Sequence, residues 1–179
     1  MRRITTWNEA SIGARFWEVV ANHHSLWVQW MRKKYFKSKN IWSISIKSSQ
    51  SWIWNRLLKA RRWIKPDVSY VIFEGKSISL WFDPWLQGKC LHEHFNESVL
   101  LNWGPPDQDT VSALIRDGKW FKPPRWPIEF EGIWEEILML DVGGLGEDVI
   151  IWTGHKTGSI SSSLAWNHLR PSCPKSRLV

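Results

Sequence analysis

The chain has 179 residues, enough for one domain or two small ones with a real core. A hydrophobic content of 43% argues against wholesale disorder. The sequence contains no run of about 18 apolar residues, so we predict no membrane span. The net charge of +7 is uneven, because residues 1–66 hold 14 of the 24 Lys and Arg against only Glu9 and Glu18. This asymmetry indicates a polyanionic partner for residues 1–66, or else a solvated basic surface that balances an acidic neighbour.

The first part of the chain predicts two helices followed by a basic stretch. Thr6 and Glu9 match a capping box, which predicts a helix anchored by apolar side chains at Ala10, Phe16, Trp17 and Val20. Ser25 can cap a second helix, which leads into the basic segment, defined here as residues 32–39. Positive charge at a helix C-terminus is favoured by the helix dipole. Residues 41–46 fit either a short strand or an extended loop.

Residues 51–86 predict a helix and a β-hairpin. Ser51 is a good N-cap, and helical spacing predicts one apolar face made of Ile53, Trp54, Leu57 and Leu58. Residues 68–73 and 77–82 are β-branched and aromatic runs separated by a Glu-Gly-Lys turn. The Asp83-Pro84 pair ends the second run, because proline cannot donate to a strand ladder. We expect three tryptophans to pin this hairpin to the helix as one cluster: Trp54, Trp81 and Trp85.

Residues 87–109 are predicted to be a loop-rich linker that contains Gly104-Pro105-Pro106. Beyond it, apolar spacing predicts a short helix through Ile115 that Asp117-Gly118 stops, and a helix that carries Ile133, Trp134, Ile137 and Leu138. Residues 148–152 and 158–162 predict a second hairpin, and Ser163 is expected to open a last helix. The predicted fold is α+β, with short helices and two β-hairpins in two small lobes, 1–86 and 110–179.

The tryptophan-rich pattern resembles one protein family. Its elements are Ser51-Trp52-x-Trp54, followed by Ser77-Ile78-x-Leu80-Trp81-x-Asp83-Pro84-Trp85-Leu86. This order is similar to plant LINE-type (non-LTR) retrotransposon reverse transcriptases, in the segment between the polymerase domain and the C-terminal zinc-binding region. The stretches at 7–10, 25–30, 148–152 and 158–161 extend the resemblance over nearly the whole chain. One departure is Phe73-Glu74-Gly75, where the family usually has a further glycine.

The resemblance implies a parent activity of RNA-directed DNA synthesis, but not an enzyme in this chain. Family members hold two metal ions with carboxylates that include an Asp-Asp pair, and this sequence contains no Asp-Asp pair. The family's zinc site needs a Cys/His cluster, and the sequence reaches Val179 before one appears. We therefore expect a non-catalytic, reverse transcriptase-like fragment without a cofactor, in which residues 110–179 lead into a truncated zinc-binding region.

The alternation of aromatic and basic residues predicts a binding surface for nucleic acid, since bases stack on exposed rings while Lys and Arg track phosphates. The predicted nucleic-acid-binding residues are Arg32, Lys33, Lys34, Tyr35, Lys37 and Lys39, with a smaller patch at Arg61, Arg62 and Lys65. The expected partner is RNA or DNA, bound without sequence preference, rather than a membrane or a small-molecule substrate. The alternatives are a protein-interaction or structural module, or a decayed gene product with no selected activity.

Two other patterns give weaker indications of a metal site or a phosphate-binding loop. Cys90, His92 and His94 alternate so that their side chains share one side of an extended segment, but no fourth metal ligand lies nearby, which favours an incidental loop. The glycines at 143, 144 and 146 precede Glu147 and Asp148, which would repel a phosphate, so we expect a mobile turn. Only Cys90 and Cys173 are cysteines, which is typical of a reducing, intracellular compartment, nuclear or cytoplasmic.

Overall fold

The computed structural model describes residues 2–37, 39–95, 109–124, 126–144 and 146–170. The α-helices are α1 (Arg2–Val20), α2 (Leu26–Met31), α3 (Trp52–Ile64), α4 (Glu131–Leu138) and α5 (Ser162–Leu169). The strands are β1 (Val68–Val71), β2 (Ile115–Arg116), β3 (Lys119–Trp120) and β4 (Val149–Trp152). They form two small antiparallel sheets, which confirms the predicted α+β class.

In the first two helices, the predicted burial and one of the two predicted caps are confirmed. Because α1 begins at Arg2, Thr6 lies inside the helix and the capping-box prediction is wrong. The predicted anchors Ala10, Phe16, Trp17 and Val20 are all buried. The cap of α2 is confirmed, since the Ser25 hydroxyl accepts a hydrogen bond from the Val28 amide at 3.2 Å. A six-residue helix depends on such a cap because its first amides have no partner within the helix.

Helix α3 has one buried face and one exposed face. Ser51 occupies the predicted N-cap position, although its side chain makes no capping hydrogen bond. The helix buries Trp54, Leu57 and Leu58, as predicted, whereas Ile53 is 48% exposed, so its assignment to the apolar face is wrong. Residues 41–46 form turns and irregular backbone before this helix, which corresponds to the loop alternative.

Strand pairing differs from both predicted hairpins. β1 pairs with β4, which places Val68 opposite Trp152 and Val71 opposite Val149. Residues 77–82 form turns and an isolated bridge between Ser79 and Thr110, so the first predicted hairpin is wrong. The second is also wrong, because β4 pairs with β1 and residues 158–161 form bends and irregular backbone. Ser161 accepts a hydrogen bond from the Leu164 amide and caps α5, two residues before the predicted start.

The tight hairpin that the structure does contain joins β2 to β3. Asp117 and Gly118 connect these strands, and both residues have positive φ angles, 52° and 69°. Two successive left-handed residues match the right-handed twist of a two-residue hairpin, for which Asp-Gly is a favoured sequence. Residues 111–114 form a 3₁₀ turn before this hairpin, so the helix predicted through Ile115 is shorter and is followed by a strand.

A single hydrophobic core links elements from both sides of the predicted linker. Helix α1 packs against α3 and α5, and β4 completes the sheet begun by β1. Within residues 87–95, Cys90 and Leu91 are buried in this interior. The Gly104-Pro105-Pro106 stretch lies outside the described residues. The two predicted lobes therefore share a sheet and a core.

The contact between α1 and α3 depends on a glycine. Gly13 lies against the Trp63 ring, and a Cβ added at Gly13 would overlap that ring. Gly13→Ala should lower the free energy of unfolding by about 1–3 kcal/mol through overpacking, although alanine is the better helix former. Gly132→Ala in α4 is the matched control, because no atom lies within 4 Å of its added Cβ. It should stabilise the protein by about 0.5 kcal/mol. Equal effects of the two changes in urea melts would contradict this packing.

Candidate nucleic-acid interface

The basic segment lies on an unusual helical turn. After Met31, the backbone of α2 continues as a π-helical turn at Arg32–Phe36 and ends at Lys37, whose φ angle is +43°. Widened turns of this kind occur frequently at functional sites. The turn buries Phe36 and leaves Arg32, Lys33 and Lys34 exposed. Lys37 and Lys39, beyond the turn, are also exposed.

Aromatic rings fix the position of this turn. Tyr35 stacks on Trp54 of α3, with ring centroids 4.4 Å apart and an interplanar angle of 12°. Trp30 meets the edge of Tyr35 at 6.2 Å and is itself 52% exposed. Lys34 Nζ lies 4.5 Å from the centroid of the Trp30 ring. Tyr35 therefore anchors the segment, while Trp30 is the ring that faces solvent.

Arg32 is held more tightly than its lysine neighbours. Its Nη1 donates a hydrogen bond to the Val19 carbonyl at 3.4 Å, and its guanidinium lies 5.0 Å from the centroid of the Phe36 ring. Burial lowers the pKa of Arg32, and the negative charge of Asp83 partly opposes that shift. Arg32 therefore joins the basic segment to α1 as well as adding charge to the surface.

The second predicted patch divides into residues with different roles. Arg61 donates hydrogen bonds to the carbonyls of Ile41 at 3.2 Å, Trp42 at 2.8 Å and Ile44 at 2.7 Å. Burial lowers the pKa of Arg61. The guanidinium thus holds the loop before α3, which is a structural role. Arg62, the next residue, is exposed.

Lys65 is engaged in an ion pair. Its Nζ lies 2.5 Å from Glu93 Oε1 and 2.6 Å from Oε2. Although burial opposes the charged form, the hydrogen bond with Glu93 and nearby negative charge raise the pKa of Lys65 overall. Its charge is neutralised locally, so Lys65 adds less to a phosphate-binding surface than Arg62 does.

Two basic residues of α3 were not among the predicted site residues. Arg56 and Lys59 line a groove of about 1090 Å³ together with Arg62. Among the described residues, none of these three side chains forms an ion pair. Their spacing of three residues places them along one side of α3, and this periodicity was the available sequence signal. Apolar side chains complete the groove wall, among them Ile12, Trp42 and Leu169.

The Asp-Pro-Trp corner of the family-like motif has a structural role. Asp83 is 9% exposed and accepts hydrogen bonds from Asn40 Nδ2 at 2.9 Å and the Ser79 amide at 2.6 Å. Burial raises the pKa of Asp83, while these hydrogen bonds act in the opposite direction. Trp85 Nε1 donates to the Leu80 carbonyl at 2.9 Å. Since Asn40 immediately follows the basic segment, the corner fixes the far end of that segment.

The glycine-rich stretch supports packing in the described part of the chain. Added Cβ atoms at Gly143 and Gly146 would overlap the Phe73 ring, and the Gly143 amide donates to the Ile72 carbonyl at 2.7 Å. The Asp148 carboxylate accepts hydrogen bonds from the amides of Phe73, Gly75 and Ser77. Burial opposes ionisation of Asp148, but these hydrogen bonds lower its pKa overall.

The alternating Cys/His stretch runs from the interior to the surface, since Cys90 is buried, His92 is half-buried and His94 is exposed. Cys90 is buried, and burial raises the pKa of its thiol to about 12. His92 Nδ1 lies 3.0 Å from the Trp81 carbonyl oxygen. Among the described residues, no group of three or more potential ligands could hold a metal ion. Cys173 lies outside the described residues.

Across the part of the chain that the structure describes, no helix is both long and apolar enough to cross a bilayer.

Comparisons with known proteins give no further assignment: no family model, curated protein or solved structure matches this chain. The resemblance to LINE-type reverse transcriptases consequently rests on the residues and motifs of the sequence itself.

Proposed function

We propose that the chain is a retroelement-derived, non-catalytic segment related to LINE-type reverse transcriptases and makes accessory contacts to RNA or DNA. The motif of residues 51–86 supports the relationship. The observation that carries the binding role is the exposed basic segment, in which Lys33, Lys34 and Lys39 accompany the solvent-facing Trp30.

Electrostatics favours a polyanion at this surface. In the part of the chain that the structure describes, Lys33, Lys34 and Lys39 form no ion pair. Their charges are available to neutralise phosphates, which releases condensed counterions and makes binding depend on salt. Contacts of this type track the backbone and carry no sequence information directly. Sequence-tolerant binding is therefore the expected mode.

The salt dependence of binding tests this proposal. Lys33→Ala/Lys39→Ala should reduce the slope of log K against log salt by about 1.4 for a single strand, or about 1.8 for a duplex, if each lysine contacts one phosphate. Affinity for a labelled oligonucleotide would be measured by fluorescence anisotropy over a series of salt concentrations. Lys119→Ala/Lys156→Ala is the matched control, since it removes two exposed charges from residues 67–179, where 15 acidic residues outnumber 10 basic ones. This control should leave the slope unchanged.

Three results would contradict the proposal. The wild-type chain could fail to bind any oligonucleotide, which is what a structural or protein-interaction module predicts. The two double variants could alter the slope equally, which would indicate that net charge rather than the basic segment controls binding. Finally, the Lys33/Lys39 variant could bind with an unchanged slope, which would show that these side chains are only solvated.

A further inference from the structure

Two tryptophans of residues 1–66 combine an exposed ring with a cation over its face. Trp30 is 52% exposed and Trp52 is 63% exposed. A cation lies over each ring: Lys34 Nζ is 4.5 Å from the centroid of Trp30, and the Arg56 guanidinium is 4.8 Å from that of Trp52. By contrast, Trp54 is fully buried beneath Tyr35.

An exposed ring with a neighbouring cation suits an unpaired base. The base can stack on the indole while the cation contacts the adjacent phosphate, and stacking tolerates every base because each has a π-face. Bases inside a duplex are already paired and stacked, so they expose no free face to such a ring. The arrangement therefore distinguishes single strands from duplexes.

The two rings belong to one packed unit. Trp30 contacts Tyr35, which stacks on Trp54, and Trp54 lies on α3 two residues after Trp52. Further basic side chains follow each ring along the chain. Lys33 and Lys34 follow Trp30, while Arg56, Lys59 and Arg62 follow Trp52 and line the groove beside α3.

We infer that the chain binds single-stranded nucleic acid in preference to duplex, with bases stacked on Trp30 and Trp52. The phosphates next to these bases contact Lys34 and Arg56, and Lys59 extends the basic surface along the groove. This inference rests on the proposed function, to which it adds the class of nucleic acid and the second binding element, α3.

The experiment compares the binding of single-stranded and duplex oligonucleotides by the full chain and by its Trp30 and Trp52 variants. A labelled oligothymidylate of about 12 nucleotides and a blunt duplex of the same length would be titrated in one buffer. The single strand should bind at least about tenfold more tightly. Trp30→Ala and Trp52→Ala should each weaken single-strand binding by about tenfold, with little effect on duplex binding. The salt slope should stay unchanged, because counterion release depends on cations rather than on rings.

Conservative and control variants separate stacking from loss of structure. Trp30→Phe and Trp52→Phe keep an aromatic face and should retain most of the affinity. Trp7→Ala is the control, since Trp7 is 50% exposed but packs edge-on against Trp166, with ring centroids 5.7 Å apart. This variant should bind the single strand and the duplex as tightly as the wild type does. Thermal melts of the variants check that each one folds.

Each possible result decides the inference. Equal affinity for single strand and duplex would overturn it and leave the proposed function intact. Loss of affinity in Trp7→Ala as large as in the other two alanine variants would also overturn it, as would phenylalanine variants that bind no better than alanine variants. If no oligonucleotide binds at all, the proposed function itself fails and the inference fails with it.

Discussion

Trp85→Ala is expected to lower the free energy of unfolding by about 3–5 kcal/mol. Trp85 is 2% exposed, and its ring stacks on Trp120 with centroids 6.0 Å apart. The change leaves a cavity and also removes the donor to the Leu80 carbonyl, which is 2.9 Å from Trp85 Nε1. Both losses act in the same direction. Denaturant unfolding followed by far-UV circular dichroism measures the effect.

Trp52→Ala is the matched control for this prediction. It removes the same side chain from a position that is 63% exposed, so the expected loss is about 0.5 kcal/mol. A loss below about 1 kcal/mol for Trp85→Ala would contradict its burial. A loss of several kcal/mol for Trp52→Ala would show that exposure does not separate the two sites.

Burial of the motif tryptophans could be predicted from the sequence, but their neighbours could not. Trp54, Trp81 and Trp85 are each no more than 2% exposed and belong to one core. Each of these rings contacts a different aromatic residue: Tyr35 stacks on Trp54, Phe130 meets the edge of Trp81, and Trp120 stacks on Trp85. Spacing along the chain indicates an apolar face. It contains no information about which distant element will cover that face.

The same limit explains the errors in strand pairing. Helical patterns are local, and the spacing of apolar residues predicted α3 and α4 well. β1 instead pairs with β4, which lies about 80 residues later in the chain. The supposed turn at Gly75 serves distant contacts, since its amide donates to Asp148 and its carbonyl accepts from Ser112. The Glu-Gly-Lys sequence therefore predicted a hairpin, whereas contacts with distant residues hold this segment as a loop.

Part of the candidate site could likewise be predicted from the sequence, and part could not. Charge counts and aromatic spacing were sufficient to single out the basic segment, and the structure exposes its lysines. The sequence could not separate Arg61 from Arg62, because adjacent helical residues differ only by about 100° in direction. That rotation turns Arg61 towards the loop at 41–44 and leaves Arg62 facing solvent.

Arg61→Ala should lower the free energy of unfolding by about 3 kcal/mol, because it leaves three loop carbonyls without their charged donor. Those carbonyls belong to Ile41, Trp42 and Ile44. Arg61→Lys should recover only part of the loss, since a single ammonium group cannot reproduce the fork of guanidinium donors. Arg62→Ala, the matched control on the exposed side of α3, should change stability by no more than about 0.5 kcal/mol.

Binding and unfolding measurements on the same two variants separate the structural role from a binding role. Arg61→Ala should destabilise the protein while leaving the salt slope unchanged under conditions where it remains folded, because its guanidinium is occupied by the loop. Arg62→Ala should leave stability unchanged and reduce the slope if Arg62 contacts a phosphate. If Arg61→Ala proves as neutral in urea melts as Arg62→Ala, the loop does not depend on the guanidinium. Arg61 would then belong to the binding surface that its sequence position first suggested.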